Sequence, residues 1–152
     1  MAIHFFSEDV PFELPEKLRR KRWLKSLATT AGYRIQELNY VFCSDEYLYQ
    51  MNVDYLNHDT FTDIITFDNS EKTGELEGDI FISVDRVREN ATTLKVEEAT
   101  ELTRVLAHGL LHLMGYKDKT KDEASLMRSK EEDAIELYRL NWRSTWNICE
   151  KI

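Results

Sequence analysis

Hydrophobic and polar positions alternate along several segments of the chain, a pattern typical of β-strands. Apolar residues occupy every second position from 38 to 42, and the β-branched segment TDIITF follows further along. The segment GDIFISV repeats the alternation, which predicts Ile80, Ile82 and Val84 on one face of a strand. Between these two segments, SEKTGELEG is polar and contains glycine, so we expect a surface loop or a hairpin connection there.

Other segments repeat their apolar residues every three or four positions, which predicts helices. Pro15 suits the first turn of one helix and Gly32 suits its end. Ser44 suits the N-cap position of a second helix. The side chains expected to face inward from that second helix are Leu48, Met51 and Tyr55.

The second half of the chain is predicted to be helical. The pattern indicates one helix over residues 85–94 and a longer one over 96–114. Thr120 with Glu123 has the spacing of a capping box, which begins a final helix. No internal repeat or linker divides the sequence. We therefore predict one α+β domain over residues 1–152, with helices at both ends and a small mixed β-sheet packed against several helices.

Composition limits the class of protein. The chain has 152 residues, of which 42% are hydrophobic, which is enough for one core. No segment approaches the roughly 18 apolar residues of a membrane span, and the amino terminus has acidic residues where a signal peptide would be apolar. We interpret the two cysteines, Cys43 and Cys149, as buried or incidental thiols. These features favour the reducing cytoplasm as the compartment.

The distribution of charge bears on nucleic-acid binding. A net charge of −8 argues against general adhesion to nucleic acid, although it leaves room for a local basic surface. Residues 17–25, KLRRKRWLK, concentrate positive charge in a predicted helix. We expect a solvated helix face there, as is usual for a run of charges, and contact with an RNA backbone is the alternative.

The segment HGLLHLMGYKD, residues 108–118, has the spacing of a metal site at the C-terminal end of the central helix. Residues four apart lie on the same helix face, so His108 and His112 can direct their imidazoles at one point. Gly115 suits the left-handed position that ends a helix, and the reversal behind it brings Asp118 near that point. Two imidazole nitrogens and a carboxylate oxygen, with a fourth position left for water, favour one catalytic Zn²⁺ ion. Another divalent metal is the alternative.

The remaining polar residues of interest have weaker signals. His4 and His58 have no partners at comparable spacing, and we expect them at the surface or in packing. Glu101 and Arg104 fall near the helical stripe that carries His108. We expect a solvated face for both, with a role beside the metal ligands as the alternative.

Gly109 weighs against one kind of metal-dependent hydrolase. The histidine spacing resembles the zinc motif of metzincin peptidases, in which a glutamate after the first histidine serves as general base. Here that position is Gly109. A peptidase built on this chain would lack its proton acceptor, which makes proteolysis the weaker hypothesis.

The histidine motif, together with the upstream segments LNHDTFTDIITFD and GDIFIS, resembles the YbeY family of bacterial rRNA-maturation endoribonucleases. The likeness extends from about residue 52 to 135 and includes the helix that follows the motif. The resemblance implies a metzincin-like α+β fold and a zinc-dependent hydrolase that cuts single-stranded RNA in 16S 3′-end maturation and ribosome quality control. It implies ribosomal RNA, the ribosome and ribosome-associated proteins as partners, no membrane, and His108 and His112 as the family's first two zinc ligands.

Several positions depart from the family pattern. Asp118 stands where the family has a third histidine, and Lys117 stands where it has an aspartate. An aspartate oxygen preserves the ligand count, but its charge is expected to leave a bound water less acidic than three imidazoles would. Leu56 follows Tyr55 where the family has an arginine suited to gripping phosphate, and Phe61 replaces a proline. Lys117 or the basic helix could compensate for the arginine.

Three classes of function therefore remain, and the endoribonuclease is favoured by the motif and by the resemblance. The alternatives are a metallopeptidase of the metzincin type and a non-catalytic ribosome-assembly factor with a structural metal. The predicted metal ligands are His108, His112 and Asp118. The sequence identifies no general base, so no catalytic residue and no other cofactor-binding residue is assigned.

Overall fold

The computed structural model describes the backbone of residues 2–56 and 62–151 and the side chains of residues 3–56 and 62–140. Within that part of the chain, the strands are β1 (Ala2–Ser7), β2 (Arg34–Cys43), β3 (Ile64–Asp68) and β4 (Glu75–Ser83). The helices are α1 (Lys17–Thr30), α2 (Asp45–Leu56), α3 (Val84–Leu94), α4 (Glu98–Leu113) and α5 (Lys121–Lys151).

The strands form one mixed sheet in the order β1-β2-β4-β3. β2 pairs in parallel with both β1 and β4, whereas β3 pairs antiparallel to β4. Residues 69–74 are thus the hairpin connection between β3 and β4 that the polar composition predicted, whereas residues 75–78 of the predicted loop belong to β4. The predicted α+β class, with a small mixed sheet and several helices, is confirmed.

Helix α4 is the central helix of the core. It contacts β3 and β4 on one side and α3 and α5 on others. Leu106 and Leu110 on this helix are fully buried together with Ile80 and Ile82 of the sheet. Full burial of each such side chain contributes about 1.5–3 kcal/mol to folding, so the helix that carries the histidines is firmly held.

Local capping signals predicted the helix boundaries well. The Ser44 hydroxyl accepts a hydrogen bond from the backbone N–H of Tyr47 at 3.1 Å, which caps α2. Thr120 and Glu123 exchange the two hydrogen bonds of a capping box, at 3.0 and 3.1 Å, and α5 follows. Gly32, with φ +86°, lies just beyond the end of α1, where the left-handed conformation stops the helix.

The amino-terminal end of the chain differs from the prediction. We expected a helix at each end, but the first element is strand β1, which pairs in parallel with β2. Ile3 of this strand is 2% exposed. The strand is held by its neighbour in the sheet and not by a local signal of its own, which is why a helical amino-terminal end was wrongly predicted.

Two side chains also differ from their predicted positions. Val84 is buried as expected, but it begins α3 instead of continuing β4, because Ser83 accepts a hydrogen bond from the backbone N–H of Arg86 and caps that helix. Tyr55 is 72% exposed and does not face inward, since it lies in the last turn of α2, whereas Leu48 is fully buried.

The basic segment of α1 is only partly a solvated face. Arg20 is 2% exposed and donates to Thr103 Oγ1 at 3.1 Å and to the Pro15 carbonyl at 3.0 Å. Arg19 donates to the Tyr138 carbonyl at 2.7 Å, and its guanidinium lies 3.7 Å from the centre of that ring. The prediction of a solvated face is therefore wrong for these two arginines, because α5 packs over this part of α1.

The remaining sequence predictions concern isolated residues. Cys43 is buried as predicted, and burial raises the pKa of its thiol to about 12. The side chain of Cys149, and residues His58 and Phe61, lie outside the described residues. Across the helices described, none has the length and apolar character that a membrane crossing needs.

Candidate metal centre

The end of α4 has the geometry that its glycine predicted. Gly115 has φ +100°, which is the left-handed region that glycine adopts readily. Its backbone N–H donates to the His112 carbonyl, and the Tyr116 N–H donates to the Leu111 carbonyl, each at 3.0 Å. These two hydrogen bonds form a Schellman motif, which reverses the chain and brings Asp118 back over the last turn of the helix.

The side chains of His108, His112 and Asp118 converge at this helix end. The two Nε2 atoms of the histidines lie 3.0 Å apart. Asp118 Oδ2 lies 3.4 Å from the first and 3.5 Å from the second. Ligands about 2.0–2.1 Å from a tetrahedral zinc ion stand about 3.3 Å from one another, so this triangle fits a single ion. The group could therefore hold a metal.

The hydrogen-bond partners of the two imidazoles also suit a cation. His108 Nδ1 lies 2.5 Å from Glu131 Oε2, and His112 Nδ1 lies 3.0 Å from the Tyr116 carbonyl oxygen. Because a carbonyl and a carboxylate only accept hydrogen bonds, each Nδ1 is assigned as the protonated nitrogen. With the proton on each Nδ1, the two Nε2 lone pairs and the Asp118 carboxylate are directed at one point. Three acceptors that share a point are stabilised by a positive ion between them.

A buried ionic network lies directly behind His108. Arg104 donates to both carboxylate oxygens of Glu101, at 2.9 and 2.6 Å, and to Glu131 Oε1 at 3.1 Å. Glu101 is 1% exposed and Glu131 is 3% exposed. The prediction of a solvated face for Glu101 and Arg104 is therefore wrong, because α5 packs against α4 and covers this face. Both residues instead lie beside His108, one of the predicted metal ligands.

Glu131 and Arg104 are held in their charged forms. Burial by itself raises the pKa of Glu131, but the hydrogen bond with His108 and the positive charge of Arg104 outweigh it, so that the pKa lies below its usual value. Burial likewise disfavours the charged form of Arg104, yet its hydrogen bonds and ion pairs with Glu101 and Glu131 raise its pKa. Glu131 is thus an anion in contact with a histidine of the candidate centre.

The candidate centre opens into a cleft of about 680 Å³, which we call the metal-site cleft. His108, His112 and Asp118 line it together with β3 and the residues just before β3. Asp63 and Asp68 add two more carboxylates to its wall, and Leu56, which follows Tyr55, also lines it. Among the described residues that line the cleft, Lys119 is the one lysine or arginine.

Glu131 is the residue of this site that sequence analysis missed. It lies on the same face of α5 as Met127, Ala134 and Tyr138, all of which are buried. A glutamate four residues after Met127 and three before Ala134 interrupts an apolar stripe, and that interruption is the signal that could have identified it. His4, by contrast, pairs with Glu37 at 3.3 Å on the surface of the sheet, as expected of a histidine outside the site.

Gly109 faces the sheet and not the cleft. A Cβ atom at this position would lie 2.9 Å from two methyl carbons of Ile80 and 3.1 Å from the Cδ1 atom of Ile64. Contacts this short leave no space for a side chain without displacement of the core. A glutamate in this position would therefore have to displace Ile80 or Ile64.

These features define a class of protein, namely α+β proteins that could hold a metal ion at the end of a central helix, beside an open cleft. The family model described as Endoribonuclease YbeY matches residues 8–139 of the chain. Because the match covers most of its length, the chain belongs to the YbeY family, which confirms the resemblance predicted from its motifs.

Individual relatives support the same assignment. An endoribonuclease YbeY of Cytophaga hutchinsonii is 56% identical over 136 residues, which are 90% of this chain and 95% of that protein. The endoribonuclease YbeY of Flavobacterium johnsoniae is 47% identical over 135 residues, which are 89% of this chain and 96% of that protein. The solution structure of TM1509 from Thermotoga maritima superposes with a TM-score of 0.66 at 25% identity, covering 95% of this chain and 93% of that one.

Proposed function

We propose that this protein is a zinc-dependent endoribonuclease that cuts single-stranded RNA. In this proposal residues 1–152 form one metal-dependent hydrolase domain, which acts with the ribosome in the cytoplasm on the 3′ end of 16S rRNA and in ribosome quality control. The observation that carries the proposal is the convergence of three acceptor atoms on one point of an open cleft, in a chain of the YbeY family.

In the proposed mechanism, His108, His112 and Asp118 hold one zinc ion. When bound, zinc supplies an acidified water molecule and polarises a phosphate oxygen, so that hydrolysis proceeds near neutral pH. The protein's own residues position these ligands. The Tyr116 carbonyl orients His112, and the fold-back after Gly115 brings the Asp118 carboxylate to the same point.

The metal-site cleft presents both polar groups and carboxylates to a substrate. Thr62 and Thr66 offer hydroxyl groups, which suit contacts to phosphate or sugar oxygens. The carboxylates of Asp63 and Asp68 would repel a phosphate backbone, so the attraction must come from the metal ion and from a cation at the cleft. Lys119 is placed to supply that cation.

Substitution of Lys119 by glutamine is expected to weaken RNA binding and to lower kcat/KM about tenfold, because one phosphate contact is lost. The slope of log affinity against log salt concentration should also fall by roughly 0.7, as expected for one contact to a single strand. Fluorescence anisotropy with a labelled single-stranded RNA, repeated at several salt concentrations, measures both quantities.

Lys117→Gln is the matched control. It removes the same charge two residues away, at a side chain that does not line the cleft. It should leave the salt slope unchanged. Equal losses in the two variants would show a general effect of net charge and would contradict a specific contact by Lys119. Zinc content, measured in both, should match that of the unaltered protein.

Incubation of the zinc-loaded protein with three substrates in parallel tests the proposed function. We expect cleavage of a single-stranded RNA that carries the 3′ end of 16S rRNA, little cleavage of the same sequence in a duplex, and no digestion of casein. Digestion of casein alone would favour a metallopeptidase, which the position of Gly109 opposes. Cleavage of none of the three, with ribosome binding intact, would favour an assembly factor.

A further inference from the structure

We propose that Glu131 is a positioning residue for the metal site. Its carboxylate fixes the tautomer and the direction of His108, and the Arg104–Glu101 pair in turn fixes Glu131. The inference rests on the proposed metal site, since it assigns to Glu131 the task of preparing one of its ligands. It adds α5 to a site whose other parts come from α4 and from the segment after it.

Both oxygens of Glu131 are occupied by partners on α4. Oε2 lies 2.5 Å from His108 Nδ1, and Oε1 lies 3.1 Å from Arg104 Nη1. The carboxylate cannot rotate without breaking one of these contacts. A carboxylate in this position fixes the hydrogen of His108 on Nδ1, so that the lone pair of Nε2 points at the shared metal position.

Arg104 is itself held from more than one direction. The fork of its guanidinium matches the two oxygens of Glu101, an arrangement with defined geometry. Nη2 also lies 3.5 Å from Asp63 Oδ2 at the wall of the metal-site cleft. The network therefore connects Asp63 at the cleft wall to Arg104, Arg104 to Glu131, and Glu131 to His108.

The charges of the network are consistent with a divalent cation. The carboxylates of Glu101 and Glu131 pair with the single guanidinium of Arg104. One negative charge therefore remains buried behind His108. Asp118 adds a second negative charge in front of it. Asp63, on the half-exposed rim, adds to the negative potential. An uncompensated buried charge is unfavourable, and a dication at the three ligands offsets it.

Glu131→Gln tests this role, because glutamine keeps the shape of the side chain but removes its charge and one of its acceptor oxygens. We expect its affinity for zinc to fall about 10- to 100-fold, the usual effect of a lost partner behind a metal ligand. Competition with a chromogenic chelator measures this affinity. Glu132→Gln is the matched control, since Glu132 is the exposed neighbour and loses the same charge. Its zinc affinity should stay within twofold of the unaltered protein.

The tautomer of His108 gives a second readout that needs no metal. Long-range ¹H–¹⁵N NMR spectra of the zinc-free protein should show His108 protonated on Nδ1, and Glu131→Gln should show a mixture of the two tautomers. If Glu131 only held α4 and α5 together, Glu131→Gln would lower the melting temperature of the protein but would leave its zinc affinity and the tautomer of His108 unchanged. That result would overturn the proposal.

If Glu131→Gln does not fold, Glu131→Asp replaces it. Aspartate keeps the charge but is shorter, so the contact with His108 is lost while an ion pair with Arg104 can persist, and zinc affinity should again fall. Unchanged affinity in that variant would contradict the proposal. RNA cleavage is measured separately: a protein that binds zinc through this network but cuts no RNA would refute the proposed function and leave the role of Glu131 intact.

Discussion

Replacement of His108 by alanine is expected to abolish zinc binding and to lower the rate of RNA cleavage by roughly 10²–10³-fold or more. The variant loses one of three ligand atoms, and the remaining pair, His112 and Asp118, holds an ion far less tightly. It also leaves Glu131 buried without its histidine partner. Metal analysis of the purified protein and cleavage of a labelled single-stranded RNA, done on the same preparation, measure the two effects.

Two controls separate chemistry from folding in this experiment. His4→Ala removes a surface histidine that pairs with Glu37, and it should retain both zinc and activity. Circular dichroism should show that His108→Ala keeps its helical content, because the core of α4 is formed by other side chains. A His108→Ala protein that has lost its zinc but cuts RNA at the original rate would contradict the proposed role of the metal.

Gly109→Glu is expected to unfold the protein and not to create a peptidase. The new side chain would start 2.9 Å from Ile80, which is fully buried, and would carry a charge into an apolar part of the core. An unpaired buried charge costs about 3–5 kcal/mol, a large part of the stability of a small domain. Urea denaturation followed by tryptophan fluorescence measures the loss.

Ala99→Glu provides the matched control for this substitution. Ala99 is exposed in the first turn of the same helix, where a negative charge interacts favourably with the helix dipole. Its free energy of unfolding should therefore stay within about 0.5 kcal/mol of the unaltered protein. A folded Gly109→Glu protein that digests casein would restore the metallopeptidase hypothesis.

The parts of the fold that depend on local signals were predictable from the sequence. Ser44, Thr120 and Gly115 act through hydrogen bonds or backbone conformations within a few residues, and each marks a helix boundary where it was expected. The alternation around Ile80 and Ile82 likewise predicted a strand, since both side chains are fully buried.

The parts that depend on contacts between distant segments were not predictable in this way. β1 is held by its pairing with β2, more than twenty residues further along the chain. Arg20 is buried by the same packing of α5 that provides Tyr138 as its neighbour. A run of positive residues, read by itself, gives no sign that another helix covers two of them.

The candidate metal centre shows the same division. His108, His112 and Asp118 are close in sequence, so helical spacing and one glycine were enough to predict that they converge. Glu131 reaches the site from α5, and its contact with His108 depends on how α5 packs against α4. A pattern within one helix cannot show that contact, although the interrupted apolar stripe of α5 indicates that Glu131 is unusual.

Addition of zinc to the metal-free protein tests whether RNA cleavage requires a metal ion held by His108, His112 and Asp118. The protein is stripped with a chelator, zinc is added back in steps, and cleavage of single-stranded RNA is measured at each step together with the bound metal. We expect activity to rise in proportion to bound zinc and to reach its plateau at one ion per chain. Full activity in the stripped protein, or zinc binding that leaves activity unchanged, would contradict it.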